Sequence, residues 1–224
     1  EVSLWDLTGA YSSFGRILNH FNENSSTYNK NDFHEPILLK DEIKSNLSKD
    51  YTENKQLIGA GSVWLTLEAL LEVNRPTNEL GWESFTSSHK IAWKTGTSFG
   101  FRDAWAVGIN KDYLVGVWAG NADGEGRPGL VGAVAAAPVL FDIFDLLPYS
   151  DWYNKPYDDL VYIPVCNESG YRASQLCDHV DSIYVPEAGL KSEACPYHIL
   201  IHLDKDKIYR VSSKCENPEN MIHE

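Results

Sequence analysis

Two groups of residues in this 224-residue sequence have types and spacings that could do chemistry. The first lies in the stretch IAWKTGTSFGFRDAWAVGI, residues 91 to 109. Ile91, Ala92 and Trp93 belong in a core, and Lys94 does not. A lysine in such a run either marks an exposed strand edge, where it discourages aggregation, or stands in a cleft where its charge acts on something. Lys94 brings a positive charge, Thr95 and Thr97 bring hydroxyl donors, and Gly96 leaves room for another backbone to approach closely. Strand alternation puts Lys94 and Thr95 on opposite faces, so both reach one cleft only if the strand lies on its rim. Asp103, at the start of the following run, reads as a turn cap or a partner for Arg102, with no catalytic role. The second group is Cys166, Cys177, Cys195 and Cys215, all between residues 166 and 215. Cys195-Pro-Tyr-His198 with His202, and Cys177-Asp-His179, have zinc-like spacings. The same four cysteines also allow three disulfide connectivities, or could be reduced and structural.

The elements that must position these residues follow from periodicity. Leu4, Leu7, Tyr11, Phe14 and Leu18 recur at helical spacing and predict an amphipathic helix over 4–21. Residues 22–36 are polar and irregular, which predicts an exposed loop. Val63, Leu67, Leu70 and Leu71 predict a second helix over 62–73, with Ser62 as a capping residue and Asn74-Arg75-Pro76 as its stop. The period then changes. Runs at 91–98, 103–109 and 114–119 are rich in aromatic and β-branched residues, and Asn110-Lys111-Asp112 between the last two predicts a hairpin. Residues 121–129 form a loop and 130–147 a closing helix. This order predicts an antiparallel sheet with helices packed on it, an α+β architecture. From Pro148 the composition shifts to Pro, Asp and Tyr. Residues 1–148 are thus expected to form one domain, 149–160 a linker, and 161–224 a small all-β domain with strand-like runs at 161–165, 182–185, 198–203 and 207–212.

Bulk composition excludes some functions. The formal net charge is −13 and the basic residues are scattered, so a phosphate backbone finds no clustered cations and nucleic acid is not an expected partner. No stretch approaches the roughly 18–20 consecutive apolar residues of a membrane span. The sequence opens on Glu1 and its single methionine is Met221, which is read as a piece of a longer protein whose targeting segment or membrane anchor would lie upstream.

The Lys94-Thr95-Gly96 triplet is one of the signatures of penicillin-binding proteins and class A β-lactamases. The surrounding text is more specific. IAWKTGTSFGFRDAWAVGINKDYLVGVWAGNADG, followed by AAPVLFDIFDLLP, closely resembles the end of the transpeptidase domain of bifunctional (class A) penicillin-binding proteins of the 1C type. GSVWLTLEALLEVNRP resembles the segment before it, and PVCNESGYRASQLC with ACPYHILIHLDKDKIYRVSSKC resembles the small C-terminal domain of that type. The likeness runs along nearly the whole chain.

The resemblance implies a β-lactamase-like transpeptidase domain, present in part, and a serine-type D,D-transpeptidase that cross-links peptidoglycan and is acylated by β-lactams. Its substrate would be a lipid II-derived stem peptide ending in D-Ala-D-Ala. The parent protein would also be a peptidoglycan glycosyltransferase, anchored in the inner membrane of a Gram-negative bacterium and working in the periplasm, with no cofactor or metal. On the family's pattern the Lys94 strand is a sheet edge to which substrate adds as a strand. Lys94, Thr95, Gly96 and Thr97 would bind substrate. Lys94 and Thr97 would be catalytic, Lys94 through its charge and the proton relay, Thr97 through a backbone N–H of the oxyanion hole.

Parts of the pattern are missing. The family's relay motif Ser-x-Asn occurs nowhere in the chain. One Ser-x-x-Lys string, Ser87-Ser88-His89-Lys90, stands where the family has a connector and is read as a chance match. The chain would therefore carry one wall of an active site and be inactive alone. The ending NPENMIHE stops short of the family's usual aromatic and proline-rich finish, so both ends are expected to be cuts. Two other readings stand beside this one: a non-catalytic periplasmic module that binds cell wall or a protein partner, and a homologue that has lost its nucleophile. For the cysteines, an oxidising periplasm favours disulfides ahead of free thiols and of zinc. Cys166–Cys177 and Cys195–Cys215 are the expected pairs because each closes a short loop.

Overall fold

The computed structural model describes residues 2–38, 50–55, 57–75 and 89–224. It divides into two compact units, Glu1–Asp159 and Leu160–Glu224. Ser87 and Ser88 lie outside the described residues.

The first unit is built on a three-stranded antiparallel sheet, β3 (Ala92–Thr97), β4 (Asp103–Ile109) and β5 (Leu114–Gly120), in that spatial order. The β4–β5 pair is the expected hairpin, closed by Asn110, whose side-chain oxygen accepts from the N–H groups of Asp112 and Tyr113. One face of the sheet is covered by helix α1 (Leu4–Glu23) and helix α2 (Ala60–Leu71). Ile17, Leu18 and Phe21 of α1 and Val63 and Leu67 of α2 bury with Ala92 and Ile109 of the sheet. The other face is covered by a π-type turn, Gly132–Ala136, running into helix α3 (Ala137–Leu146). There Ile91 and Trp93 bury with Leu140, Phe141 and Phe144, and Trp93 meets Phe141 edge-on at 5.1 Å. Successive β3 residues thus feed two separate cores, which is why the run 91–93 reads as continuously apolar.

Helix α1 begins at a capping box. The Ser3 hydroxyl accepts from the Asp6 N–H, and the Asp6 carboxylate accepts from the Ser3 N–H, satisfying two orphan donors. Helix α2 begins differently from expectation. Ser62 lies inside the helix, and the N-cap is Gly59. The first N–H groups are satisfied from afar: Tyr28 Oη accepts from Ala60 at 3.1 Å and Asp159 Oδ2 from Gly61 at 2.8 Å. The phenol of Tyr28 is buried, which pushes its pKa up. A β-carbon on Gly59 would sit 2.4 Å from Asp159 Oδ2, so glycine is what lets that carboxylate approach.

The loop over 22–36 is not the exposed segment its polarity predicted. Tyr28 and Asn29 form β1, pair with Tyr51–Thr52 (β2), and are buried. Asp32 is 1% exposed and holds His20 Nδ1 at 2.5 Å. Its backbone oxygen accepts from Arg16 Nε at 2.8 Å. Polar residues are inside here because they are paired. The expected linker also differs: residues up to Asp159 belong to the first unit. Tyr153 is buried in the α1–α2 core and donates from its hydroxyl to the Asn110 backbone oxygen at 2.5 Å, and Trp152 donates to Glu68 at 2.5 Å.

The second unit pairs β6 (Val161–Cys166) with β7 (Val180–Val185), antiparallel, and His202–Leu203 (β8) with Ile222–His223 (β9). The run 207–212, expected as a strand, is not one. Its adjacent apolar residues Ile208 and Tyr209 are 67% and 68% exposed, and its pairing is confined to a bridge of Arg210 with Leu203, flanked by the Asp204 N–H donating to the Tyr209 oxygen at 3.0 Å and the Val211 N–H donating to the His202 oxygen at 2.7 Å. The run 198–203 reduces to β8. The buried residues of this unit are few, chiefly Ile163, Val165, Cys166 and Cys195. Among the described residues no helix is long and apolar enough to cross a membrane.

Candidate functional site

The Lys94-Thr95-Gly96-Thr97 segment occupies the end of β3. Among the described residues β3 pairs with β4 alone, so its other side is a sheet edge. The register is Lys94 opposite Val107, Thr95 opposite Ala106, Gly96 opposite Trp105 and Thr97 opposite Ala104. Just past the ladder, the Ser98 N–H donates to the Asp103 backbone oxygen at 3.0 Å. Antiparallel ladders alternate hydrogen-bonded and non-hydrogen-bonded pairs. Counting back from Ser98, Gly96 and Lys94 face β4, and the backbone N–H and C=O of Thr95 and Thr97 face the open edge. Lys94 supports this count: its ammonium donates to the Thr95 backbone oxygen at 2.6 Å.

Lys94 is exposed and, among the described residues, has no carboxylate within ion-pair distance. Its side chain leaves the strand on the face shared with α1 and α2, as does Ala92. Thr95 and Thr97 lie on the opposite face, under the turn that precedes α3. The Thr97 hydroxyl accepts from the Gly132 N–H at 3.0 Å, and its own hydrogen remains available to donate. Gly132 is held tightly against the strands. A β-carbon there would lie 2.5 Å from the Trp105 oxygen, 2.6 Å from the Gly96 oxygen and 3.0 Å from Thr95 Cβ. Gly96 has the opposite environment: a β-carbon would meet only Trp105 Cβ, at 3.7 Å. The strand is thus clamped on one face by Gly132 and open on the other at Gly96, with the lysine charge on the open side. Such an edge can hydrogen-bond an extended backbone and, beside it, hold an anion.

Asp103 is structural here, as its sequence context suggested. Its N–H donates to Ser98 Oγ at 2.9 Å, and its carboxylate accepts from Trp118 Nε1 at 2.8 Å. Those hydrogen bonds, the Trp118 one foremost, hold its pKa below the usual aspartate range. The turn between β3 and β4 needs Gly100 and Phe101 at positive φ, +79° and +56°.

The cysteines overturn the expected pairing. All four are free thiols, and neither Cys166–Cys177 nor Cys195–Cys215 is bonded. Cys215 sits on an exposed turn and donates to the Ser212 oxygen at 3.3 Å. Cys166, Cys177, Cys195 and His198 instead converge, their ligand-type atoms all within 4.8 Å of one another. Cys166 ends β6. Cys195 is tied to the same region by its N–H donating to the Arg172 oxygen at 2.8 Å, and Arg172 bridges Val165. His198 Nδ1 lies 3.5 Å from Cys166 Sγ and 3.4 Å from Cys195 Sγ, while its Nε2 meets Glu168 Oε2 at 3.1 Å. The Cys195 thiol is pulled down to about 6, chiefly by the Ser169 hydroxyl and by the N–H groups of His198 and Tyr197. His179 and His202, candidates by spacing, are not in the cluster. His202 meets His223 instead, Nδ1 to Nδ1, at 2.7 Å. Loop length favoured the disulfides, but it carries no information about where side chains point. The zinc-like reading, ranked last from sequence, is the one the geometry matches best, with Cys166 as a ligand that spacing had not indicated.

No family model matches the chain. Over 93 residues it is 33% identical to penicillin-binding protein 1C of Escherichia coli (strain K12), a stretch amounting to 42% of this chain and 12% of that protein. The chain thus spans a small part of the curated relative it matches. That partial likeness is to a penicillin-binding protein, in a chain whose architecture is α+β.

Proposed function

We propose that the first unit supplies the substrate-binding edge of a serine D,D-transpeptidase within a bifunctional peptidoglycan synthase of the 1C type. The observation that carries this reading is the edge of β3 that, among the described residues, pairs with no other strand. The N–H and C=O of Thr95 and Thr97 face outward there, beside the exposed ammonium of Lys94. A stem peptide ending in D-Ala-D-Ala would add as a strand along that edge. The Thr97 N–H would donate to the oxyanion of the tetrahedral intermediate, and the Thr97 and Thr95 hydroxyls with Lys94 would hold the terminal carboxylate. β-Lactams, which present the same carboxylate and carbonyl, would occupy the same edge. The nucleophilic serine and the relay serine would come from outside this chain, since Ser-x-Asn is absent and Ser87 is read as a chance match. The parent protein would carry a glycosyltransferase and an inner-membrane anchor and would work in the Gram-negative periplasm.

The test is the rate of acylation of the full-length protein by a fluorescent penicillin. Lys94→Ala should slow it by about 10²–10³-fold, the usual cost of a removed transition-state contact, with unfolding unchanged. Labelling at the wild-type rate would remove Lys94 from the site. The isolated chain should show no penicillin adduct by intact mass, and an adduct mapped to Ser87 would make that serine a nucleophile.

A further inference from the structure

We propose that Cys166, Cys177, Cys195 and His198 form a tetrahedral site for one structural zinc ion in the second unit. Three sulfurs and an imidazole nitrogen lie mutually within 4.8 Å, with Cys166 and Cys195 buried. A zinc ion with Zn–S near 2.3 Å and Zn–N near 2.0–2.1 Å has tetrahedral edges of about 3.8 Å between sulfurs and about 3.6 Å from sulfur to nitrogen. The observed separations of Nδ1 from Cys166 Sγ and Cys195 Sγ, 3.5 Å and 3.4 Å, are such edges. A small settling of the side chains would complete the site.

The ligand chemistry selects the metal class. Three thiolates and one imidazole are soft and borderline donors, unsuited to calcium or magnesium, which take oxygen ligands. Four protein ligands leave no open position, the mark of a structural rather than a catalytic site. Binding forms three Zn–S bonds and one Zn–N bond and releases the thiol protons to solvent. No electron moves.

The surroundings are those of a metal site. His198 presents Nδ1 to the sulfurs while Glu168 holds Nε2 at 3.1 Å. A carboxylate on the far ring nitrogen fixes the tautomer that leaves Nδ1 free to ligate. Three thiolates with a dication leave a net negative charge, and hydrogen-bond donors stand against the sulfurs to offset it. The Ser174 N–H and hydroxyl each lie 3.3 Å from Cys177 Sγ, and the Ser169 hydroxyl lies 3.2 Å from Cys195 Sγ. The turn after Cys166 needs Gly170 at φ +72°, and it brings the Gly170 N–H back to the Cys166 oxygen at 2.8 Å. The unit also needs a staple. It buries few apolar side chains, while Tyr162, Ile183, Tyr197, Ile199 and Tyr209 are exposed. A module of this size with so small an apolar core is marginal without a cross-link or a metal. One ion joining the end of β6 to the segments carrying Cys177 and Cys195 supplies that cross-link.

The experiment is elemental analysis of the full 224-residue chain, purified under reducing conditions with zinc supplied and excess removed by dialysis. About one zinc per chain is expected, as for a closed four-ligand site. Cys195→Ser and His198→Ala should each lose it, and Cys215→Ser should retain it. Because the first two variants could fail to fold, cobalt substitution of the unaltered chain gives a second readout. It should yield the visible d–d bands of tetrahedral cobalt together with ultraviolet thiolate-to-cobalt charge transfer. A reduced chain that stays metal-free, iron in place of zinc, or, in chain purified without reductant, an intact mass two hydrogens light with a disulfide mapped among Cys166, Cys177 and Cys195 would each overturn the proposal. Neither readout depends on penicillin, so its failure is separable from failure of the transpeptidase reading.

Discussion

The Gly132 N–H donates to the Thr97 hydroxyl at 3.0 Å, across 35 residues of chain. That bond, with the absence of a side chain at Gly132, seats the turn before α3 directly on the strand that carries Lys94. The β3 strand is therefore held from behind by a tightly packed contact that fixes its backbone.

Gly132→Ala should break this seating. Its β-carbon would stand 2.5 Å from the Trp105 oxygen and 2.6 Å from the Gly96 oxygen. Both are backbone atoms within a ladder, and neither can rotate away. A loss of about 1–3 kcal/mol is expected, the usual range for overpacking, read as a lower urea midpoint at unchanged slope. Gly96→Ala meets only Trp105 Cβ at 3.7 Å and should unfold close to wild type. Equal destabilisation by the two substitutions would contradict the packing described.

The Asp103 carboxylate should report on the β3–β4 turn as pH falls. Its pKa is lowered by the hydrogen bond from Trp118, then by Ser98. A group with a depressed native pKa contributes its stability in full above the unfolded value, about 3.9 for aspartate, and loses it as pH falls through the native value. The Trp118 indole N–H resonance should therefore hold steady from neutral pH to about 4 and shift only below that. In Asp103→Asn the shift should vanish. Movement in the neutral range would mean that another group governs the turn.

Asp32→Ala should destabilise the first unit by about 1–3 kcal/mol, the cost of leaving buried polar partners unsatisfied. Asp32 is 1% exposed and pairs with His20 at 2.5 Å. Arg16, whose pKa burial lowers, is tied to the neighbouring backbone. Asp50→Ala is the control, since its bond to Lys30 at 3.0 Å is half-exposed and such pairs contribute roughly 0–1 kcal/mol. Chemical denaturation of both variants decides whether 22–36 is a buried element or surface.

Local pattern was enough to determine much of this protein. Leu4 to Leu18 repeat at helical spacing, and a helix forms at Leu4–Glu23. The apolar runs around Trp93, Trp105 and Val115 became the three strands, and Asn110 made the hairpin turn. Those features depend on neighbours a few residues apart, so periodicity and turn chemistry reveal them. The Lys94-Thr95-Gly96-Thr97 run was equally visible, because the residue types stand side by side. Tertiary structure decided what depends on distant residues. Ser62 looked like a cap, but Tyr28 and Asp159, remote in sequence, hold the α2 N-terminus. Residues 207–212 read as a strand from their residue types, yet they pair only around Arg210, opposite Leu203. The cysteines are the clearest case. Whether a thiol meets another thiol or an imidazole depends on where β6 ends and on how Arg172 ties the segment carrying Cys195 against it. The spacing of Cys166, Cys177, Cys195 and Cys215 along the chain carries the entropy of closing loops and nothing about the direction in which each side chain points.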